Sequence, residues 1–270
     1  MDRKPAVLVT GASSGIGRAL AREYARRGHA VGLTGRRAAV LEEVRAEIAA
    51  DPAAAKAGPG GAPVRVEIAA LDVRDSAAVH AVVAELAGRL GDVGIVFANA
   101  GIGGERFCGD GHFAKDEDTI RTNVIGAMAT IDAAVELFRQ SRGGQIVGIS
   151  SVAAFRGMPG SAAYCASKAA LTTYLEAVRA EVESAGIAIT TISPGYIDTP
   201  INQRMKSRPF LITPEEGARQ IADLVDRKVR HSTVPVLPWG AVGTLMRLLP
   251  DALWYRAIGS SAAQRVAGRD

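Results

Sequence analysis

Three side chains in the second half of the sequence have types and spacing suited to moving a proton. Tyr164 and Lys168 stand four residues apart in AAYCASKAAL, so on a helix both lie on one face. A free tyrosine gives up its proton only near pH about 10, and a neighbouring ammonium favours the phenolate, so such a pair is a candidate acid or base. Ser151 precedes Tyr164 by 13 residues, at the end of QIVGISS. A hydroxyl there could donate to an oxygen on which negative charge develops. Ser150 is the rival for that place, and a Y-x-x-x-K pair alone also occurs in helices that do no chemistry.

A second group lies near the start. VLVTGASSGIGRAL puts Gly11, Gly15 and Gly17 between an apolar run and a helical pattern. Glycine permits a turn that a side chain would obstruct, and lets backbone N–H groups approach a pyrophosphate at a helix N-terminus. The spacing is G-x-x-x-G-x-G rather than the commoner G-x-G-x-x-G. Ser13, Ser14 and Ile16, between the glycines, complete this candidate cofactor loop. Many NAD sites carry an acid about 20 residues further on to bind the ribose 2′-hydroxyl. This chain instead reads Leu33-Thr34-Gly35-Arg36-Arg37. Guanidinium groups suit a 2′-phosphate, which takes charge-assisted bidentate bonds. The expectation is NADP(H) in preference to NAD, with Arg36 as the main contact and Arg37 beside it. The alternative is two solvated arginines opening a helix, which the positive end of the helix dipole disfavours.

These residues need elements to position them. Continuous apolar runs at 6–10, 30–34, 64–71, 93–98, 145–150, 188–193 and 233–237 suit strands covered on both faces. Amphipathic stretches at 18–27, 38–50, 77–90, 116–139, 161–184 and 214–227 alternate with them. The pattern predicts an α/β fold, doubly wound, with a mainly parallel seven-stranded sheet and helices on both faces. Residues 51–63, rich in Pro and Gly, read as a surface loop. No composition shift divides the chain, so residues 1–270 are expected to form one domain.

Composition excludes other classes. With 270 residues, 48% hydrophobic and 22% charged, the chain is ordinary globular material rather than disordered. Its 32 basic and 28 acidic residues give a formal charge of +4 without clustering, which argues against a nucleic-acid partner. Two cysteines, Cys108 and Cys165, exclude a disulfide framework, and four scattered histidines have no metal-ligand spacing, so no metal is expected. The start lacks the apolar core of a signal peptide and no apolar run reaches about 18 residues, so the expected location is cytoplasmic.

TGASSGIG at 10–17, LDV at 71–73, NAG at 99–101, Asn123 in TNVIG, SS at 150–151, YCASK at 164–168 and SPGYIDT at 193–199 occur together and in order. In this the chain resembles the short-chain dehydrogenase/reductase family, in its compact single-domain branch. The resemblance implies a Rossmann-like fold and a nicotinamide-dependent oxidoreductase acting on a small carbonyl or alcohol substrate. It makes Tyr164 the proton donor or acceptor, Ser151 the partner of the substrate oxygen, Lys168 a ligand of the ribose hydroxyls and Asn123 the support of a water relay. The family's 13-residue interval favours Ser151 over Ser150. The resemblance also gives Asp72 and Val73 to the adenine, Asn99, Ala100 and Gly101 to the adenine-ribose side, and Pro194, Gly195, Ile197 and Thr199 to the nicotinamide amide. Taken singly, NAG could be only a tight turn and PG only a loop break. Lys168 and an oxidised nicotinamide ring together are expected to lower the pKa of Tyr164. Ala98 stands where the family often has a second Asn.

The leading expectation is NADPH-dependent reduction of a ketone or aldehyde. Alternatives are an NADP-dependent alcohol dehydrogenase working mainly in oxidation and a non-catalytic NADP(H)-binding regulator. A sugar-nucleotide epimerase is disfavoured because no separate substrate domain fits. Residues 196–211 are expected to form a mobile substrate lid, and Phe155, Met158 and Phe210 a mainly apolar pocket. The apolar extension at 239–270 is expected to pack on its own sheet or a partner subunit. The less favoured alternative is shallow contact with a membrane through Trp239, Leu245, Leu248, Leu249 and Trp254. The family resemblance implies a homodimer or homotetramer through the helices carrying Asn123 and Tyr164.

Overall fold

The structure, a computed structural model, describes residues 4–256 except 142, 204 and 206. Seven strands form one sheet: β1 (Ala6–Val9), β2 (Val31–Gly35), β3 (Val66–Ala70), β4 (Val93–Ala98), β5 (Gly144–Ile149), β6 (Ile187–Pro194) and β7 (His231–Val234). Their order is β3-β2-β1-β4-β5-β6-β7, and all six pairings are parallel. The chain winds outward from β1 in one direction, then returns to its other side at β4. Between β1 and β4 the crossovers leave on opposite faces, which opens a crevice at the strands' C-terminal ends.

Side chains alternate across each strand, and both faces are apolar. Val7 and Val9 enter a core with α1 (Gly15–Arg26), α2 (Ala38–Ala50) and α7 (Pro214–Asp226). Ala6 and Leu8 enter the opposite core, with α3 (Ser76–Leu90), α5 (Gly126–Gln140) and α6 (Ala162–Val182). Local chemistry sets several helix starts. Asp75 accepts from Ala78 N at 3.0 Å to cap α3, and Thr213 accepts from Glu216 N at 3.1 Å with Pro214 next, the pattern of a strong N-cap. Arg27 ties α1 to α7 through Asp223 at 2.6 Å and Asp226 at 2.8 Å.

Three departures from the sequence expectation have physical causes. The helix expected over 116–139 is α4 (Phe113–Ile120), a π turn at Arg121–Ile125, and then α5. The expected last strand, 233–237, starts at His231 and stops at Val234, because Pro235 has no N–H to continue the ladder. Its N-terminal half pairs Thr191 with His231, and the polar letters HST hide an edge strand. The loop at 51–63 carries short 3₁₀ turns, Ala54–Lys56 and Pro59–Gly61, with Ala54 buried against the core.

The apolar extension folds back on its own chain as α8 (Trp239–Leu248) and a helical turn at 251–256. Trp239 is buried, and Trp254 donates from Nε1 to the Gly157 carbonyl at 3.2 Å. Both tryptophans therefore face protein, while Leu245 and Leu248 are exposed. Residues 257–270 lie outside the described residues. No described helix is long and apolar enough to cross a membrane.

Candidate active site

The loops after β1 to β6 line one cleft of about 400 Å³. Every residue expected to bind cofactor reaches it: Gly11, Ser13, Ser14, Gly15, Ile16 and Gly17 after β1, Arg36 and Arg37 after β2, and Asp72 and Val73 after β3. Asn99, Ala100 and Gly101 follow β4, and Pro194, Gly195, Ile197 and Thr199 follow β6. Ser151, Tyr164 and Lys168 close the same cleft.

The glycine loop is shaped by close approach. Gly11 has φ +70°, and a Cβ there would lie 2.7 Å from the Ala100 Cα. At Gly17 a Cβ would meet the Gly11 carbonyl oxygen at 2.4 Å and Asn99 Nδ2 at 2.5 Å. The chain has room there for backbone only. Ser14, the N-cap of α1, is extended and its side chain makes no capping bond, so the first N–H groups of α1 face the cleft without a side-chain acceptor. This is the arrangement that receives a phosphate. The residues present therefore fit a dinucleotide.

Asn99 is held by Thr10: its N–H reaches Thr10 Oγ1 at 3.1 Å and its Nδ2 donates to the Thr10 carbonyl at 2.8 Å. Asp72 is paired with Arg74 at 2.6 Å, and that hydrogen bond holds its carboxyl below the ordinary range. Arg37 Nη2 approaches Ser13 Oγ at 3.5 Å. Arg36 is exposed at the cleft edge and forms no ion pair among the described residues. β2 itself ends without an acid, in contrast to a site built for a 2′-hydroxyl, and the carboxyl that the Arg36 charge reaches is Asp72 after β3.

At the other end the two serines separate. Ser150 is buried, donating to the Lys168 carbonyl at 3.0 Å and bonding Thr172 Oγ1 at 2.8 Å. Ser151 accepts from Ala153 N at 3.1 Å, and its hydroxyl lies near enough to Tyr164 to favour the phenolate. Ser151 is thus the serine that meets the tyrosine. Burial raises the Tyr164 pKa, with nearby Ser151 pulling it back only partly. The expectation of a lowered value counted on Lys168 together with an oxidised nicotinamide ring; the Lys168 Nζ lies 5.8 Å from the ring centroid and donates to the Ile149 carbonyl at 2.8 Å. Lys168 is only 4% exposed, and desolvation brings its ammonium down to about 8.

Asn123 sits in the π turn, fully buried and behind the cleft wall rather than on it. Its Oδ1 accepts from Ile102 N at 2.8 Å, and its Nδ2 donates to the Ile102 carbonyl at 2.8 Å and to Ser167 Oγ at 3.0 Å. It clamps the chain that follows Gly101. Sequence reasoning missed Thr10, Ser167 and Asn202, the last of which donates to the Ile197 carbonyl at 2.7 Å. No local spacing signals them, since each acts through a bond closed by the fold. Gly103 and Ile201 were also missed. A Cβ on Gly103 would lie 3.2 Å from Tyr164 Cδ2 and 3.3 Å from Ile201 Cγ2.

The expected apolar pocket is not built from the side chains named for it. Phe155, Met158 and Phe210 do not line this cleft. Phe155 lies beneath α8, stacked against Arg247 at 4.1 Å, and Phe210 stands over Trp239 at 5.9 Å. The C-terminal segment captures these rings, and the walls near Tyr164 are instead aliphatic, from Ile102 and Ile201. Cys165 is buried and turned from the cleft, and Cys108 is exposed. Away from the site, α3 and α5 bring His80, Asp132 and Glu136 within 4.8 Å of one another, which no sequence spacing announced. His80 pairs with Asp132 at 3.1 Å, while its Nδ1 bonds the Ser76 carbonyl and, with Asp132, raises its pKa.

A parallel sheet with a glycine-turned crevice at its switch point, and a serine, tyrosine and lysine gathered at one end, defines a class of nucleotide-linked oxidoreductases. The profile described as short chain dehydrogenase matches residues 5–209, and the chain belongs to that family. An uncharacterized oxidoreductase of Mycobacterium tuberculosis is 35% identical over 251 residues, covering 93% of this chain and 96% of that protein. Dehydrogenase/reductase SDR family member 7B of Bos taurus is 34% identical over 272 residues, covering 96% of this chain and 82% of that one. Among solved structures, an alcohol dehydrogenase of Thermococcus sibiricus complexed with 5-hydroxy-NADP superposes with TM-score 0.72 at 25% identity, covering 85% of this chain and 94% of that one. Levodione reductase gives 0.73 at 26%, covering 85% and 94%. The protein is an oxidoreductase of this family.

Proposed function

We propose that the protein is an NADP(H)-dependent carbonyl reductase in which Tyr164 is the general acid. The observation that carries this reading is the Ser151–Tyr164–Lys168 cluster at the end of a cleft whose other end presents Arg36 and Arg37. NADPH bound along the cleft supplies the hydride. Its diphosphate would be held by the N–H groups at the start of α1, its 2′-phosphate by Arg36 with Arg37, and its adenine by Asp72 and Val73. Asn99, Ala100 and Gly101 would flank the adenine ribose, with the turn at Pro194 and Gly195, Ile197 and Thr199 on the carboxamide.

The chain's own groups supply the rest. Ser151 donates to the substrate oxygen and strengthens its hold as negative charge grows there. Tyr164, protonated at neutral pH as any tyrosine is, gives its proton to that oxygen. The Lys168 ammonium has three donors and uses one on Ile149, leaving two for the ribose hydroxyls and the emptied phenolate. Asn123 positions the backbone from Gly101 to Ile102 and supports the proton's replacement. The alternative, an alcohol dehydrogenase working mainly in oxidation, would use the same groups with Tyr164 as the base. Ile102 and Ile201 suit a lipophilic ketone or aldehyde. Loop 196–211 would cover it as a lid, in a cytoplasmic homodimer or homotetramer.

Nucleotide titration of Arg36→Glu tests the cofactor assignment. The substitution should weaken NADPH by about a hundredfold, as expected for losing a charged hydrogen-bond pair, and NADH by less than about threefold. Equal losses would remove Arg36 from the 2′-phosphate.

A further inference from the structure

Trp239 opens α8 far along the chain from every motif, yet it lies against the end of the cleft where Tyr164 stands. A Cβ at position 195 would fall 2.1 Å from Trp239 Nε1 and 2.4 Å from its Cε2, so the indole rests directly on the Gly195 Cα. Only glycine leaves space for it. Gly195 lines the cleft and is fixed on its other side by its N–H to the Val234 carbonyl at 2.9 Å.

The same indole meets both ends of loop 196–211. Tyr196 packs on it edge to face at 5.8 Å, and Phe210 at 5.9 Å with the rings 87° apart. Phe210 holds φ at +58°, a conformation that bulky side chains rarely accept. That backbone turn places its ring over Trp239. Between these ends the loop is closed at its base by Asp198 N to the Ile212 carbonyl at 3.0 Å and Ile212 N to the Tyr196 carbonyl at 3.1 Å. Its inner part sends Thr199, Pro200, Ile201 and Asn202 to the cleft wall. Trp239 is 6% exposed, and its indole N–H has no acceptor among the described residues. A buried donor left unpaired is costly. The ring is therefore held there by shape, as a wedge, rather than by its polar atom.

We propose that Trp239 is a positioning residue: it sets the Pro194-Gly195 turn and loop 196–211 against Tyr164, so that the C-terminal segment completes the substrate end of the active site. This rests on the reading of the cleft as a nicotinamide and carbonyl site. Displacing reacting groups by about an ångström costs up to about a hundredfold in rate, whereas the diphosphate and Arg36 contacts at the far end are untouched.

The test measures NADPH affinity, kcat, KM for a turned-over ketone or aldehyde, and thermal midpoint for Trp239→Ala, Trp239→Phe and Phe210→Ala. Trp239→Ala should lower kcat/KM by about tenfold to a hundredfold while NADPH affinity stays within about threefold. Trp239→Phe, which keeps a ring on Gly195, should recover most of the loss. Phe210→Ala, at a half-exposed ring whose removal leaves the core intact, should raise KM several-fold at nearly unchanged kcat and serves even if Trp239→Ala fails to fold. A parent protein that binds and reduces, with Phe210→Ala or Trp239→Ala equal to it, would overturn this inference alone. A folded parent that binds no nicotinamide nucleotide would overturn the proposed function and the inference with it.

Discussion

Lys168 brings an ammonium into a site where solvent barely reaches it, and its hydrogen bond goes to the Ile149 carbonyl. Burial holds its pKa down to about 8, against about 10.4 for a free lysine. Between those values the unfolded chain binds more protons than the folded one, so this group's contribution to stability rises with pH across that window. Urea unfolding of the parent and Lys168→Met at a series of pH values should show their difference moving toward the parent, by at most about 1.4 kcal/mol per pH unit. A difference that does not move with pH would mean an ordinary lysine. At this scale the reacting side chains were legible because their spacing is local. Tyr164 and Lys168 share a helical turn, and Ser151 ends a strand. Thr10, Asn202 and Trp239 were not legible, since each acts on residues brought to it by the fold.

Elements were legible wherever burial imposed a pattern. Strands β1 to β6 match their apolar runs to within one or two residues, because strands covered on both faces must be apolar throughout; β3, at the sheet edge and only partly buried, follows the pattern less strictly through Glu67. The edge strand β7 was read two residues late, its exposed His231 and half-exposed Ser232 giving no apolar run, and the π turn escaped because one additional residue in a helical turn leaves no mark on composition. The β1–α1 turn depends on glycine at two packed positions. Gly17→Ala should therefore destabilise the chain by about 1–3 kcal/mol and weaken nucleotide binding, because backbone of Gly11 and the Asn99 side chain must both move. Denaturant unfolding together with nucleotide titration reads both effects. An alanine variant of parental stability would show that the loop opens at little cost.

For the molecule as a whole, the surface left uncovered bears on assembly. Phe113 is 78% exposed on α4, with Ile120 and Ile125 also exposed along the α4 and π-turn segment that leads to Asn123. Large apolar side chains in such a row mark an interaction surface. If this face joins two copies, as proposed, sedimentation should show a dimer or larger species, and Phe113→Asp with Ile125→Asp should shift it toward monomer. Unchanged sedimentation would place the interface elsewhere. The destination of the C-terminal rings could not be read from sequence. Phe155 and Phe210 lie close to the motifs in the chain, but α8 takes them from the cleft, a consequence of tertiary packing alone.

The central claim is that Tyr164 passes a proton to a carbonyl oxygen beside bound NADPH. It is tested most directly by following NADPH oxidation at about 340 nm across a ketone and aldehyde panel with the parent and Tyr164→Phe. A positioned acid contributes about a hundredfold to ten-thousandfold. The parent should turn over at least one carbonyl, and Tyr164→Phe should lose at least about a hundredfold of that rate with NADPH affinity nearly intact. A Tyr164→Phe variant that reduces the same carbonyl at close to the parental rate would contradict the account.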